Sequence, residues 1–106
     1  MYATIRRYKI KNEQAEAVTR QITEDFLPMI SQLPGFVSYD VVAEGDRMWT
    51  FSVFETEDAA SESSRRAREY VRQNLASVLP TAPASAQGEV TVHKAVARGT
   101  AVPSTR

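Results

Sequence analysis

The sequence predicts an α+β chain of ferredoxin-like order, βαββαβ, in which a four-stranded antiparallel sheet carries two helices on one face. Three observations predict it. Apolar spacing changes from strand-like to a three-to-four-residue period after Asn12 and again after Thr56. A Gly45-Asp46 pair separates two β-rich runs, as a two-residue hairpin turn requires. An apolar alternation returns near the end of the chain.

Each element has a local reason. Tyr2 to Tyr8 is rich in Tyr, Thr and Ile, which fit a pleated surface, and Lys9 to Asn12 break the run. From Asn12, the expected N-cap, Ala15, Val18, Ile22, Phe26, Met29 and Leu33 mark one face of a long helix. Pro34-Gly35 stops it, and Pro28 is expected to kink it. Phe36 to Ala43 and Arg47 to Phe54 form the hairpin. Pairing Glu44 with Arg47 sets Val42 against Trp49, Asp40 against Phe51 and Ser38 against Val53 on one face. Tyr39 with Ser52, Val41 with Thr50 and Val37 with Phe54 take the other. Thr56 caps the second helix, Glu57 and Asp58 complement its dipole, and Ala60, Ala67, Val71, Leu75 and Val78 face inward. Pro80 to Gln87 reads as a connector, and Gly88 leads into a fourth strand over 89–97. Residues 1–97 make one domain, and 98–106 read as a flexible C-terminal tail.

Composition narrows the function. With 106 residues the chain is long enough for one core and short for two. Thirteen basic residues balance thirteen acidic ones, so no basic footprint for nucleic acid or an anionic membrane is present. There is no Cys and a single His, which removes thiol chemistry and any multi-histidine metal site within one chain. No metal and no cofactor is expected. The N-terminal MYATIRRYKI has no continuous apolar run, so it fits neither a signal peptide nor a span, and the cytoplasm is the expected location. Arg47 to Phe54 partly overlays the aromatic signature of RNA-recognition motifs, but Met48 and Thr50 stand where that signature has small residues. The cluster Arg65, Arg66, Arg68 and Arg72 is interleaved with Glu62 and Glu69 and reads as a solvated face. Both faces of the hairpin carry large apolar groups while the helices can cover only one, so a homodimer through the open face is expected.

The run Leu33-Pro34-Gly35-Phe36-Val37-Ser38-Tyr39, the hairpin, and Phe51-Ser52-Val53-Phe54-Glu55-Thr56-Glu57-Asp58-Ala59 resemble the antibiotic biosynthesis monooxygenase (ABM) family. The resemblance covers about Tyr2 to Val96. It implies a dimeric α/β barrel and, in some members, oxygenation of phenols or quinols by molecular oxygen without metal or flavin. This chain has Phe54 where the family often has Trp, and Thr50 where oxygenating members can have Asn. Haem-degrading members resemble one another in an Asn on strand one and a His on helix two, and this chain has neither. The resemblance therefore implies either a cofactor-independent monooxygenase acting on a small phenolic or quinol-like compound, or a non-catalytic ligand-binding or assembly domain of the same fold. The sheet face of Phe54 would line the cavity with Tyr39, Thr50 and Ser52 as ligand contacts. Tyr70 could add a hydroxyl from helix two. His93, with an unperturbed pKa near neutrality, is the candidate catalytic base, provided its ring reaches that cavity; a structural role for it is the alternative.

Overall fold

The computed structural model of the chain describes residues 1–79 and 82–96. Strands β1 (Tyr2–Lys9), β2 (Phe36–Glu44), β3 (Arg47–Phe54) and β4 (Ala84–Glu89) form one sheet in the order β2-β3-β1-β4, every neighbouring pair antiparallel. This is the ferredoxin-like arrangement that the element order predicts. A helical run over residues 12–30, α1, and helix α2 (Glu57–Asn74) cover one face of the sheet.

The hairpin follows the expected register from Glu44↔Arg47 to Ser38↔Val53. Gly45 has φ +59° and Asp46 keeps a negative φ, the pattern of a type II′ turn whose twist matches the strands it joins. At the far end the register departs from expectation: a bulge between Phe36 and Ser38 pairs Phe36, in place of Val37, with Phe54. The extra residue turns Phe36 inward, where its ring meets that of Phe54 edge-on at 5.6 Å, and leaves Val37 exposed. The chain enters β2 through Gly35, whose φ of +84° suits only glycine and whose carbonyl accepts from the Glu55 amide at 2.7 Å.

The first helix is less regular than its pattern suggests. It opens with a 3-10 turn (Asn12–Gln14), continues as α-helix (Ala15–Gln21), widens into a π turn (Ile22–Phe26) and closes as α-helix (Leu27–Ile30). Asn12 is not the N-cap: Lys11 holds that position, and no side chain caps the turn. Its buried residues are Val18, Ile22, Phe26 and Ile30, a strict four-residue spacing that would drift around a 3.6-residue helix. The π turn absorbs the drift: the Leu27 amide reaches back to the Ile22 carbonyl, and the wider turn sits just before Pro28, which has no amide to give. Pro28 is thus accommodated in the last segment. The second helix begins as expected, with the Thr56 hydroxyl accepting from the Ala59 amide at 3.1 Å. It ends at Asn74, so Val78 packs on the core from the turns that follow.

The fourth strand lies earlier than expected. Residues 84–89, read as connector, pair with β1 from Ala84↔Arg7 to Glu89↔Tyr2, and the Val90 amide makes a last bond to the Met1 carbonyl. The physical reason is that the ladder needs backbone groups and a polar anchor, not an apolar face. Gln87 accepts from Thr4 at 3.0 Å and from Ser64 at 3.2 Å, and donates to Ser61 at 3.3 Å. Val92 and Val96, expected on the strand, are exposed beyond it. The tail at 98–106 lies outside the described residues.

Alternation sorts the sheet into two faces. Thr4, Arg6 and Tyr8 of β1, with Met48, Thr50, Ser52 and Phe54 of β3, are buried beneath the helices. Ile5, Val42, Trp49, Phe51 and Val53 lie on the opposite, uncovered face, with Ile5 and Val42 more than 40% exposed.

Candidate functional site

The buried face of the sheet is unusually polar along one row. Pairing across the strands lines up Val41, Thr50, Arg6 and Ser85, flanked by the row Tyr39, Ser52, Thr4 and Gln87. Apolar side chains pack onto this face, Ile22, Phe26 and Ala67 from the helices and Leu75 and Leu79 from beyond α2, with Phe36 and Phe54 edge-on at one end. Between them is a narrow cavity of about 20 Å³, enough for one water molecule. Arg6, Tyr8, Tyr39 and Thr50 line it from the sheet, Phe26 from α1 and Tyr70 from α2. It shares Arg6, Tyr8, Val71 and Leu79 with an open groove of about 350 Å³ that also meets Arg68, Arg72, Ala76, Ala82 and Pro83. The groove alone is at the lower end of the size that accepts small ligands.

Arg6 dominates the electrostatics. Its residue surface is 5% exposed, and its Nη2 has no hydrogen-bond partner among the described residues. Burial disfavours the charged form and lowers its pKa, and the like charge of Arg68 adds to this. Burial raises Tyr39 and Tyr8 above the ordinary phenol range, so both remain neutral hydroxyls beside the guanidinium at neutral pH. Tyr70 is raised as well, by burial and then by the Asp25 carboxylate. Its hydroxyl donates to Asp25 Oδ2 at 3.3 Å, which ties α2 to the π turn of α1. The Phe26 ring packs between Tyr39 and Tyr70, with centroids 5.9 Å and 5.3 Å away.

Of the ligand contacts expected from sequence, Tyr39, Thr50 and Tyr70 line the cavity. Ser52 and Phe54 share its sheet face without lining it: Ser52 Oγ is buried without a partner among the described residues, and Phe54 is fully buried against Phe36. His93 does not reach the cavity of this chain. Because β4 ends at Glu89, His93 follows the sheet as an exposed residue of an irregular segment. Arg6 and Tyr8 were missed, although the poor polar alternation of β1 was their signal: its inward positions are themselves polar. Among the described residues no three His, Asp or Glu side chains converge as metal ligands.

The arginine cluster on α2 divides in two. Arg65 and Arg66 are neutralised by Glu62, at 2.8 Å and 2.9 Å, and these bonds hold the Glu62 carboxyl down to about 2. Arg65 also approaches Glu69 at 3.6 Å. Arg68 and Arg72 instead border the groove.

Residues 1–73 match the family described as antibiotic biosynthesis monooxygenase. The chain belongs to the ABM family. No protein of curated function matches the sequence significantly. Several solved structures share the ABM fold seen in this chain. A protein of unknown function from Nitrosomonas europaea superposes with a TM-score of 0.75 at 19% identity, over 91% of this chain and 94% of its own. A protein from Mycobacterium tuberculosis gives 0.68 at 18% identity, over 89% and 98%. A monooxygenase from Streptomyces coelicolor, solved with nanaomycin D, gives 0.67 at 18% identity, over 97% and 92%. At these identities the likeness is one of fold. No helix of this ABM chain is long and apolar enough to cross a membrane.

Proposed function

We propose that this ABM-family protein is a homodimer that binds a small phenolic or quinol-like compound between sheet and helices and oxygenates it without metal or flavin. The observation that carries the reading is the buried Arg6 guanidinium, unpartnered at Nη2 among the described residues, where the water-sized cavity lined by Phe26, Tyr39 and Tyr70 opens into the groove of about 350 Å³ that has room for the ring. A buried cation without a counter-ion favours an anionic form of whatever binds beside it, so a phenol placed there loses its proton more readily than in water. The proton passes to solvent water through the open groove, so the step does not call on a histidine base. The electron-rich phenolate then reacts with oxygen. One oxygen atom becomes a new ring carbonyl, the other leaves as water with the displaced ring hydrogen and the hydroxyl hydrogen, and a quinone remains; no outside reductant is consumed. Dimerisation through Ile5, Val42, Trp49, Phe51 and Val53 would cover the open sheet face and leave the cavity on the far side of the sheet.

The second reading, a non-catalytic ligand-binding or assembly domain, is favoured by Thr50 and Phe54 at positions where family oxygenases can carry Asn and Trp. Oxygen uptake with a panel of hydroquinones separates the two. Consumption above the uncatalysed rate that is lost in Arg6→Met and retained in His93→Gln supports the oxygenase. Saturable binding without consumption supports the second reading.

A further inference from the structure

The groove beside the cavity carries charge of one sign. Arg68 and Arg72, four residues apart and so on one face of α2, border it together with Arg6, and among the described residues no carboxylate does. The contrast with their neighbours is direct. Arg65 and Arg66 are held in ion pairs by Glu62, whereas neither Arg68 nor Arg72 has a carboxylate within 4.0 Å among the described residues. Two exposed guanidinium groups thus stand at the rim and a third, unpartnered at Nη2, lies buried at the inner end. The surface between them is apolar, with Val71 and Leu79 contributed from the helical side.

Three like charges around an apolar groove repel one another, and the buried one bears a desolvation cost besides. An inorganic anion would relieve the charge but gain nothing from the apolar surface. A neutral aromatic would use that surface and leave the charge unanswered. Resting on the aromatic-site reading above and adding the ligand's charge to it, we infer that the ligand is an aromatic acid, with its phenolic end at Arg6 and its carboxylate between Arg68 and Arg72. The rim arginines then act as specificity determinants, discriminating against the uncharged analogue, while the inner arginine acts on the ring hydroxyl.

The test compares para-hydroxycinnamate with its primary amide, which has nearly the same shape and no charge. Both are titrated by fluorescence against the full chain and the double variant Arg68→Gln/Arg72→Gln. Both substitutions are at exposed helix positions and keep a good helix former. The native protein is expected to bind the carboxylate about ten-fold more tightly or better, in line with charge-assisted hydrogen bonds. The double variant is expected to lose that preference while its affinity for the amide stays within about two-fold, since the apolar contacts persist. Equal binding of the two probes by the native protein, or a preference that survives in the double variant, overturns the inference and leaves the aromatic site standing. Binding of neither probe overturns both.

Discussion

Replacing Arg6 with Met should make the ligand-free protein more stable. Arg6 is 5% exposed, its Nη2 donor has no partner, and burial disfavours its charge. Leaving a buried donor unsatisfied costs about 1–3 kcal/mol. Exchange of buried ion pairs for apolar side chains of similar volume is neutral or stabilising by up to about 4 kcal/mol, and an unpaired charge has no partner attraction to lose. Methionine keeps much of the aliphatic stem that packs beside Tyr8 and Thr50, so little transfer energy is lost against that gain. The expected net is a stabilisation of about 1–3 kcal/mol, a rise in Tm of roughly 4–8 °C per kcal/mol for a domain of this size. Urea unfolding at one fixed protein concentration measures it, with an unchanged slope showing that the compactness of the end states is unaltered. Arg6→Lys supplies the control, since it keeps the charge, loses the planar fork and should not share the gain. A loss of more than about 1 kcal/mol in Arg6→Met would refute the reasoning, because it would mean that the guanidinium is already well satisfied inside the fold.

Three further outcomes follow from the geometry. Trp49→Arg places a charge in the middle of the uncovered sheet face and should convert the proposed dimer to a monomer by light scattering, with the melting transition of the single chain retained; a monomeric native protein refutes the dimer, and a dimer unchanged by the substitution places the interface elsewhere. Thr56→Ala removes the side-chain acceptor for the Ala59 amide and should cost about 1 kcal/mol in urea unfolding. Burial raises Tyr8 and Tyr39, so the folded chain keeps protons that the unfolded chain releases near pH 10. Their contribution to stability is complete below that pH and declines as pH rises above it. Urea midpoints should fall accordingly, and phenolate absorbance should appear in two stages.

The fold was legible wherever a local device fixed it. Gly45-Asp46 set the hairpin and with it the faces of Tyr39, Thr50 and Trp49, and Thr56 with its acidic neighbours set the start of the second helix. The fourth strand was missed because Ala84 to Glu89 buries no apolar side chain. Its attachment rests on backbone pairing and on the three hydrogen bonds of Gln87, which leave no hydrophobic period to read. The valines at 90, 92 and 96 supplied that period falsely. The same error carried His93 into the candidate site. Conversely, Arg6 and Tyr8 were hidden because a strand whose inward face is polar departs from apolar alternation, and the departure looked like weak strand character when it marked the wall of the cavity.

The π turn in the first helix makes the position of one wall of the cavity depend on a count of residues. Such a turn is an α-helical path carrying one residue beyond what the path requires, and one residue corresponds to about 100° of rotation. Phe26 ends that turn, and its ring touches both Tyr39 and Tyr70. A chain without the additional residue would present a different side chain to the cavity there, even with every strand position matched. The side chain that faces the cavity there can thus change by insertion or deletion in the helix as well as by substitution.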